Sequence, residues 1–172
     1  MKRLILLLLL VVARPVLAGQ VALSADGSWR AELVAPDRLV IVSTADGSIG
    51  ATFQARARDG SPAGFEGVYT DPKRRHFVVP LVGAPEYWLI ATDPDAPPVY
   101  EGFVHSREAG MIEALPSSEG LFSRRRVLIE HELRQIEFTP DYLNMSGITA
   151  DGRLRVTVNL YVNREVAWQP LG

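Results

Sequence analysis

The stretch Arg74–His105, RRHFVVPLVGAPEYWLIATDPDAPPVYEGFVH, decides the fold. Phe77 to Leu81 and Tyr87 to Ala91 are almost unbroken apolar runs. Short apolar runs bounded by turn residues suit strands buried on both faces. Pro85, Asp93-Pro94 and Pro97-Pro98 supply the turns. The stretch therefore reads as three consecutive strands, the last ending at Val104. A basic cluster, Lys73, Arg74 and Arg75, precedes the first, and His105 closes the last.

Upstream, Trp29 to Val34 and Leu39 to Val42 read as strands. Asp46-Gly47 stands between apolar runs, the preferred pair for a type I′ hairpin turn. Ala51, Phe53, Ala55 and Ala57 alternate with Thr52, Gln54 and Arg56. A period of two marks a strand with one wet face. Four short strands over about 40 residues have the size of a propeller blade. The first unit spans about 20–57. A second spans about 65–104, with Phe65 to Tyr69 as its first strand.

Residues 105–125 break the rhythm. They hold glycines, a proline and serines without alternation, and read as a long insertion or lid with a helical turn around Met111 to Leu115. A third unit spans about 126–170, from Val127–Ile129 to Glu165–Trp168. YTDPKRRHFVV in the second unit lines up with FTPDYLNMSGI in the third. No long amphipathic helix is evident. The fold expected is all-β: about three four-stranded antiparallel propeller-like blades, a partial or incomplete propeller. Closed propellers need about four to eight blades. Three leave open edges, which invite pairing with another chain.

The first 18 residues stand apart. Met1-Lys2-Arg3 is positive, Leu4 to Ala13 is apolar, and Val16-Leu17-Ala18 offers a cleavage site, as in a secretory signal peptide. The remaining 19–172 form one domain. The chain has 18 basic and 20 acidic side chains. Without Lys2, Arg3 and Arg14 the balance is 15 against 20, a net charge of −5. That excludes nucleic acid as the main partner. Cysteine is absent, so there are no disulfides, thiolate metal sites or c-type haem attachment. A periplasmic location follows as the expectation.

No phosphate-binding glycine loop, GxSxG elbow or paired-histidine zinc motif occurs. What remains is cations and histidines at strand ends. Arg74, Arg75 and His76 precede one strand; Arg124, Arg125 and Arg126 precede another; His105 and Arg107 follow a third. Two interpretations stand side by side. The cations are solvated flanks that keep edges soluble, or they converge on a ligand with several carboxylates, each matched by a planar guanidinium fork.

The segment RRHFVVPLVGAPEYWLIATDPDAPPVYEGFVHSREAG resembles the haem d1 domain of cytochrome cd1-type proteins, and within that family the NirF-type branch of haem d1 biosynthesis. The likeness is carried by Arg74-Arg75, Pro85-Glu86-Tyr87-Trp88, Asp93-Pro94 and Val99-Tyr100-Glu101-Gly102-Phe103-Val104-His105. It continues through FSRRRVLIEHELRQIEFTPDYLNMSG and covers about 21–172. The resemblance implies an eight-bladed propeller in complete members and a haem d1-type tetrapyrrole as cofactor, in haem d1 maturation or nitrite reduction. It implies His105 as the distal residue, for iron ligation or proton transfer. Arg74, Arg75, Arg107, Arg124 and Arg125 are candidates for holding the tetrapyrrole carboxylates. The family runs D-Y-R-M-G-E after the histidine, where this chain has Ser106-Arg107-Glu108-Ala109-Gly110, one position out of register. The chain has about half the length of such a propeller, and His76 and His131 match no motif. The alternative function is a non-catalytic β-repeat module that joins a partner chain through its open edges.

Overall fold

The structure is a computed structural model and describes residues 21–100 and 117–172. The expected signal peptide, His105, Arg107 and the turn expected near Met111 lie outside the described residues. Among the described residues there are strands and turns but no helix.

The first sheet is an antiparallel meander of β1 (Val21–Leu23), β2 (Trp29–Ala35), β3 (Arg38–Ser43) and β4 (Ile49–Gln54). The alternation read in the sequence sets its faces. Ala31, Leu39, Ile41 and Ala55 are buried towards the second sheet, while Val21, Leu23 and Val34 stay exposed on the opposite face. Asp46-Gly47 differs from the expected I′ turn. Ser43 N–H donates to Ser48 O, so a longer loop connects β3 and β4. Asp46 Oδ1 accepts the Ser48 N–H at 3.1 Å, which holds the loop as an Asx turn and leaves Gly47 alone at φ 72°.

The second sheet corrects the expected order of strands. β5 (Gly64–Phe65) and β6 (Tyr69–Asp71) share the position expected for one strand, and both pair with β7 (His76–Val82). Next comes β8 (Glu86–Ala91), buried throughout as its sequence demands. Its far neighbour is β9 (Arg124–Leu128), with Trp88 opposite Arg126, in place of the expected strand ending near Val104. Val99 instead makes an isolated bridge to Ser118. The arginine run thus belongs to the second blade, where Trp88 gives two of its guanidinia a ring to cover. Arg124 and Arg126 stand 4.6 and 5.0 Å from the Trp88 ring centre.

The third sheet is β10 (Leu133–Phe138), β11 (Asn144–Thr149), β12 (Leu154–Asn159) and β13 (Arg164–Pro170), again a meander. Two cores alternate with the three sheets. One, with Phe77, Trp88 and Ile90, lies between the first and second. The other, with Tyr87, Leu89, Met145 and Val158, lies between the second and third. Adjacent residues of β8 therefore enter opposite cores, as the pleat requires. Polar ties reinforce both interfaces. Phe65 N–H donates to Pro36 O at 2.7 Å, and Gln135 N–H donates to Glu66 Oε1 at 2.9 Å.

Candidate functional site

The turn β6–β7, the segment after β8 and the turn β12–β13 open at one end of the second and third blades. They enclose a cavity of about 310 Å³. Its polar lining is Arg74, His76, Ser123, Arg125 and Asn163. Leu89 and Leu160 come from the blade core, and Ala96, Pro97, Val99 and Tyr161 complete the apolar wall.

Each polar group is placed by the local chain. Asp71 is fully buried and closes the β6–β7 turn, accepting the Lys73 and Arg74 N–H groups at 3.1 and 3.2 Å. Its other oxygen pairs with Arg74 Nη1 at 2.6 Å, and Nη1 also donates to Tyr142 O at 2.8 Å. Arg74 is thus fixed between the two blades. Arg125 faces the same side of β9 as Leu89 does on β8, and it has no ion pair among the described residues. Asn163 Oδ1 accepts the Tyr87 hydroxyl at 3.0 Å. Burial raises the Tyr87 phenol, against a lowering by the Arg74 charge.

His76 is the distinctive group. Burial pushes its imidazole below the ordinary histidine range. The Asp71 carboxylate and the Arg74 backbone oppose this, while the Arg125 and Arg74 charges add to it. Its Nδ1 is buried without a hydrogen-bond partner among the described residues. Asn163 in the cavity wall has left-handed backbone, at φ 53°, and so do two residues tied to Arg74: its neighbour Arg75, at 55°, and Tyr142, whose carbonyl it reaches, at 53°. Such conformations cost energy and persist where surrounding contacts impose them, often at binding sites.

Of the cations singled out in the sequence, the cavity gathers Arg74 and Arg125. Arg75 turns away to Asp93, at 2.8 Å. Arg124 covers Trp88 in the other interface. His105 and Arg107 lie outside the described residues. His76 joins the cavity although no motif marked it; its place in the basic cluster before a buried strand is the signal that located it. His131 lies elsewhere, and Glu165 accepts its Nδ1–H at 2.9 Å. Glu130, His131 and Glu165 have ligand atoms within 4.8 Å of one another. Both Glu165 oxygens, however, already accept hydrogen bonds: Oε1 from the Glu130 and His131 N–H groups, Oε2 from His131 and Trp168. That carboxylate works as a structural clasp on the turn before β10.

No family model and no curated protein matches the chain. Among solved structures, it is similar to the dihydro-haem d1 dehydrogenase NirN in complex with DHE. That similarity has a TM-score of 0.68 and 24% identity over 88% of this chain and 28% of NirN. The fold is a partial β-propeller. The β-propeller domain of Cps50 (Swd1) from Myceliophteria thermophila is also similar, at a TM-score of 0.55 and 10% identity, over 90% of this chain and 41% of that one. The chain spans well under half of either structure. These likenesses carry the fold, a NirN-like propeller of open sheets. No helix among the described residues is long and apolar enough to cross a membrane.

Proposed function

We propose that this chain is a periplasmic tetrapyrrole-binding protein of haem d1 type, in the NirF-like branch of haem d1 biosynthesis or in nitrite-reductase maturation. The observation that carries this is the meeting of Arg74 and Arg125 at one cavity, on a fold shared with NirN. Guanidinia are the donors suited to carboxylates, and a haem d1-type macrocycle bears several. The cavity is near the lower bound of small-molecule sites, about 300–1,000 Å³. It admits one arm of a large ligand, with the macrocycle over the blade ends.

On the family resemblance, iron ligation or proton transfer would fall to His105. Arg75, Arg107 and Arg124 are secondary candidates for the other carboxylates. The bound group would supply the redox chemistry; this chain would orient it and bind its acid groups. A visible absorption titration of the mature protein with haem and a haem d1-type tetrapyrrole, beside His105→Ala, tests this. A saturable shift altered in the variant supports it; spectra that ignore the substitution remove His105 from the iron.

A second function, a module that joins a partner chain, is favoured by the exposed apolar face of the first blade. Val21, Leu23 and Val34 are 42, 53 and 52% exposed there. Light scattering at known concentration separates the two. A stable complex that forms without pigment supports the module.

A further inference from the structure

The cavity between the second and third blades combines features that a structural interface does not need. Its two guanidinia differ in their charge balance. Arg74 is matched by Asp71. Arg125 is not matched by any ion pair among the described residues. The edge of the cavity therefore carries an exposed guanidinium without an ion pair among the described residues, on the same cavity as an imidazole whose Nδ1 is buried.

The charged groups around His76 are Asp71 from β6, Arg74 from the turn and Arg125 from β9. β12 and its following turn contribute Leu160, Tyr161 and the Asn163 amide, and the segment after β8 contributes Ala96, Pro97 and Val99. The neutral imidazole leaves its buried Nδ1 unpaired, which is costly unless another state of the site uses it. An anion beside Arg125 would balance that charge. It would also ease protonation of His76, since an opposite charge within about 4–6 Å favours the charged form.

We infer that this cavity is a proton-coupled carboxylate site: one carboxylate enters, pairs with Arg125 and Arg74, and brings a proton onto the His76 imidazole. The inference deepens the tetrapyrrole reading, from which it takes the carboxylate as the ligand group. Each carboxylate bound at neutral pH takes up as much as one proton from solvent, so ligand binding tightens as pH falls.

The test uses the mature protein, carbon-13 labelled at histidine, followed by NMR of the imidazole Cε1–H signals. Histidine signals are assigned with His76→Gln. The pH titration is run in sodium propionate and in sodium chloride of equal ionic strength. In propionate the His76 midpoint rises by about 1–3 units over its value in chloride. In Arg125→Gln, at an exposed position that leaves the Asp71–Arg74 pair intact, the rise disappears. Equal midpoints in the two salts, or an unchanged rise in Arg125→Gln, overturn the inference. Its fate is separable from that of the tetrapyrrole. Pigment binding with no His76 response sinks this site alone. A His76 response without pigment binding leaves the site standing for another carboxylate.

Discussion

Arg126 and Glu86 form a buried ion pair, Nη1 to Oε1 at 2.7 Å, with side-chain exposures of 16 and 1%. The same Glu86 oxygen accepts the Trp88 indole N–H at 2.7 Å, and the other accepts Arg58 N–H at 3.1 Å. Arg126 also reaches Arg56 O at 2.8 Å. One carboxylate thereby ties β8 and β9 to the chain leaving the first blade. Removing one partner strands a buried charge. Arg126→Ala should cost about 3–5 kcal/mol, read from urea denaturation. The double variant Glu86→Gln/Arg126→Met should be more stable than Arg126→Ala.

Gly50 should tolerate no side chain. A Cβ there would lie 2.7 Å from both Phe122 Cε2 and Trp29 Cζ3. Those rings meet edge to face, 4.8 Å between centres and 84° apart. Phe122, at φ 61°, comes just before β9, so this pair fastens the segment ahead of the arginine run to the first blade. Gly50→Ala should destabilise by about 1–3 kcal/mol and change the near-ultraviolet circular dichroism of Trp29.

Acid should loosen the third blade. Burial raises the Glu165 carboxyl, but hydrogen bonds from the His131 ring and backbone and from Trp168 outweigh it, and the net position is below the ordinary glutamate value. In the first blade, the Ser24 hydroxyl, with the Ser28 backbone and hydroxyl, lowers Asp26 to about 2. A carboxyl lowered on folding adds stability above its unfolded value and loses it as pH falls through the folded one. Stability should therefore begin to fall as pH drops below the ordinary histidine value, where the unfolded chain takes up a proton that buried His76 resists, and fall further through the carboxylate range as the lowered carboxyls are protonated. Glu165→Gln should lose stability at neutral pH and show a shallower decline in acid, as followed by urea midpoints across pH.

Much of this was legible in the chain. The apolar runs 77–81 and 87–91 are β7 and β8, and the alternation over 51–57 gives the right faces. The likeness of YTDPKRRHFVV to FTPDYLNMSGI marks corresponding places in neighbouring blades, where Tyr69 and Phe138 stand 5.5 Å apart. The strand beside β8 was not legible. Polar positions 124–126 do not look like a sheet interior, because the partner that makes them one, the Trp88–Glu86 pair, lies 40 residues away from Arg126 in sequence. The division of the arginines was hidden for the same reason. Neighbours on a strand point to opposite faces, so Arg125 enters the cavity while Arg124 and Arg126 cover Trp88.

The central claim is that a tetrapyrrole is held through its carboxylates at Arg125 and Arg74. The most direct measurement is an absorption titration of wild-type protein and Arg125→Gln with a haem d1-type tetrapyrrole and with its carboxylate ester. Wild type should bind the free acid about 10–100-fold more tightly than the ester, as expected for a charge-assisted hydrogen bond of about 1.5–3 kcal/mol. Arg125→Gln should lose most of that preference. Equal binding of acid and ester by wild-type protein would contradict the account.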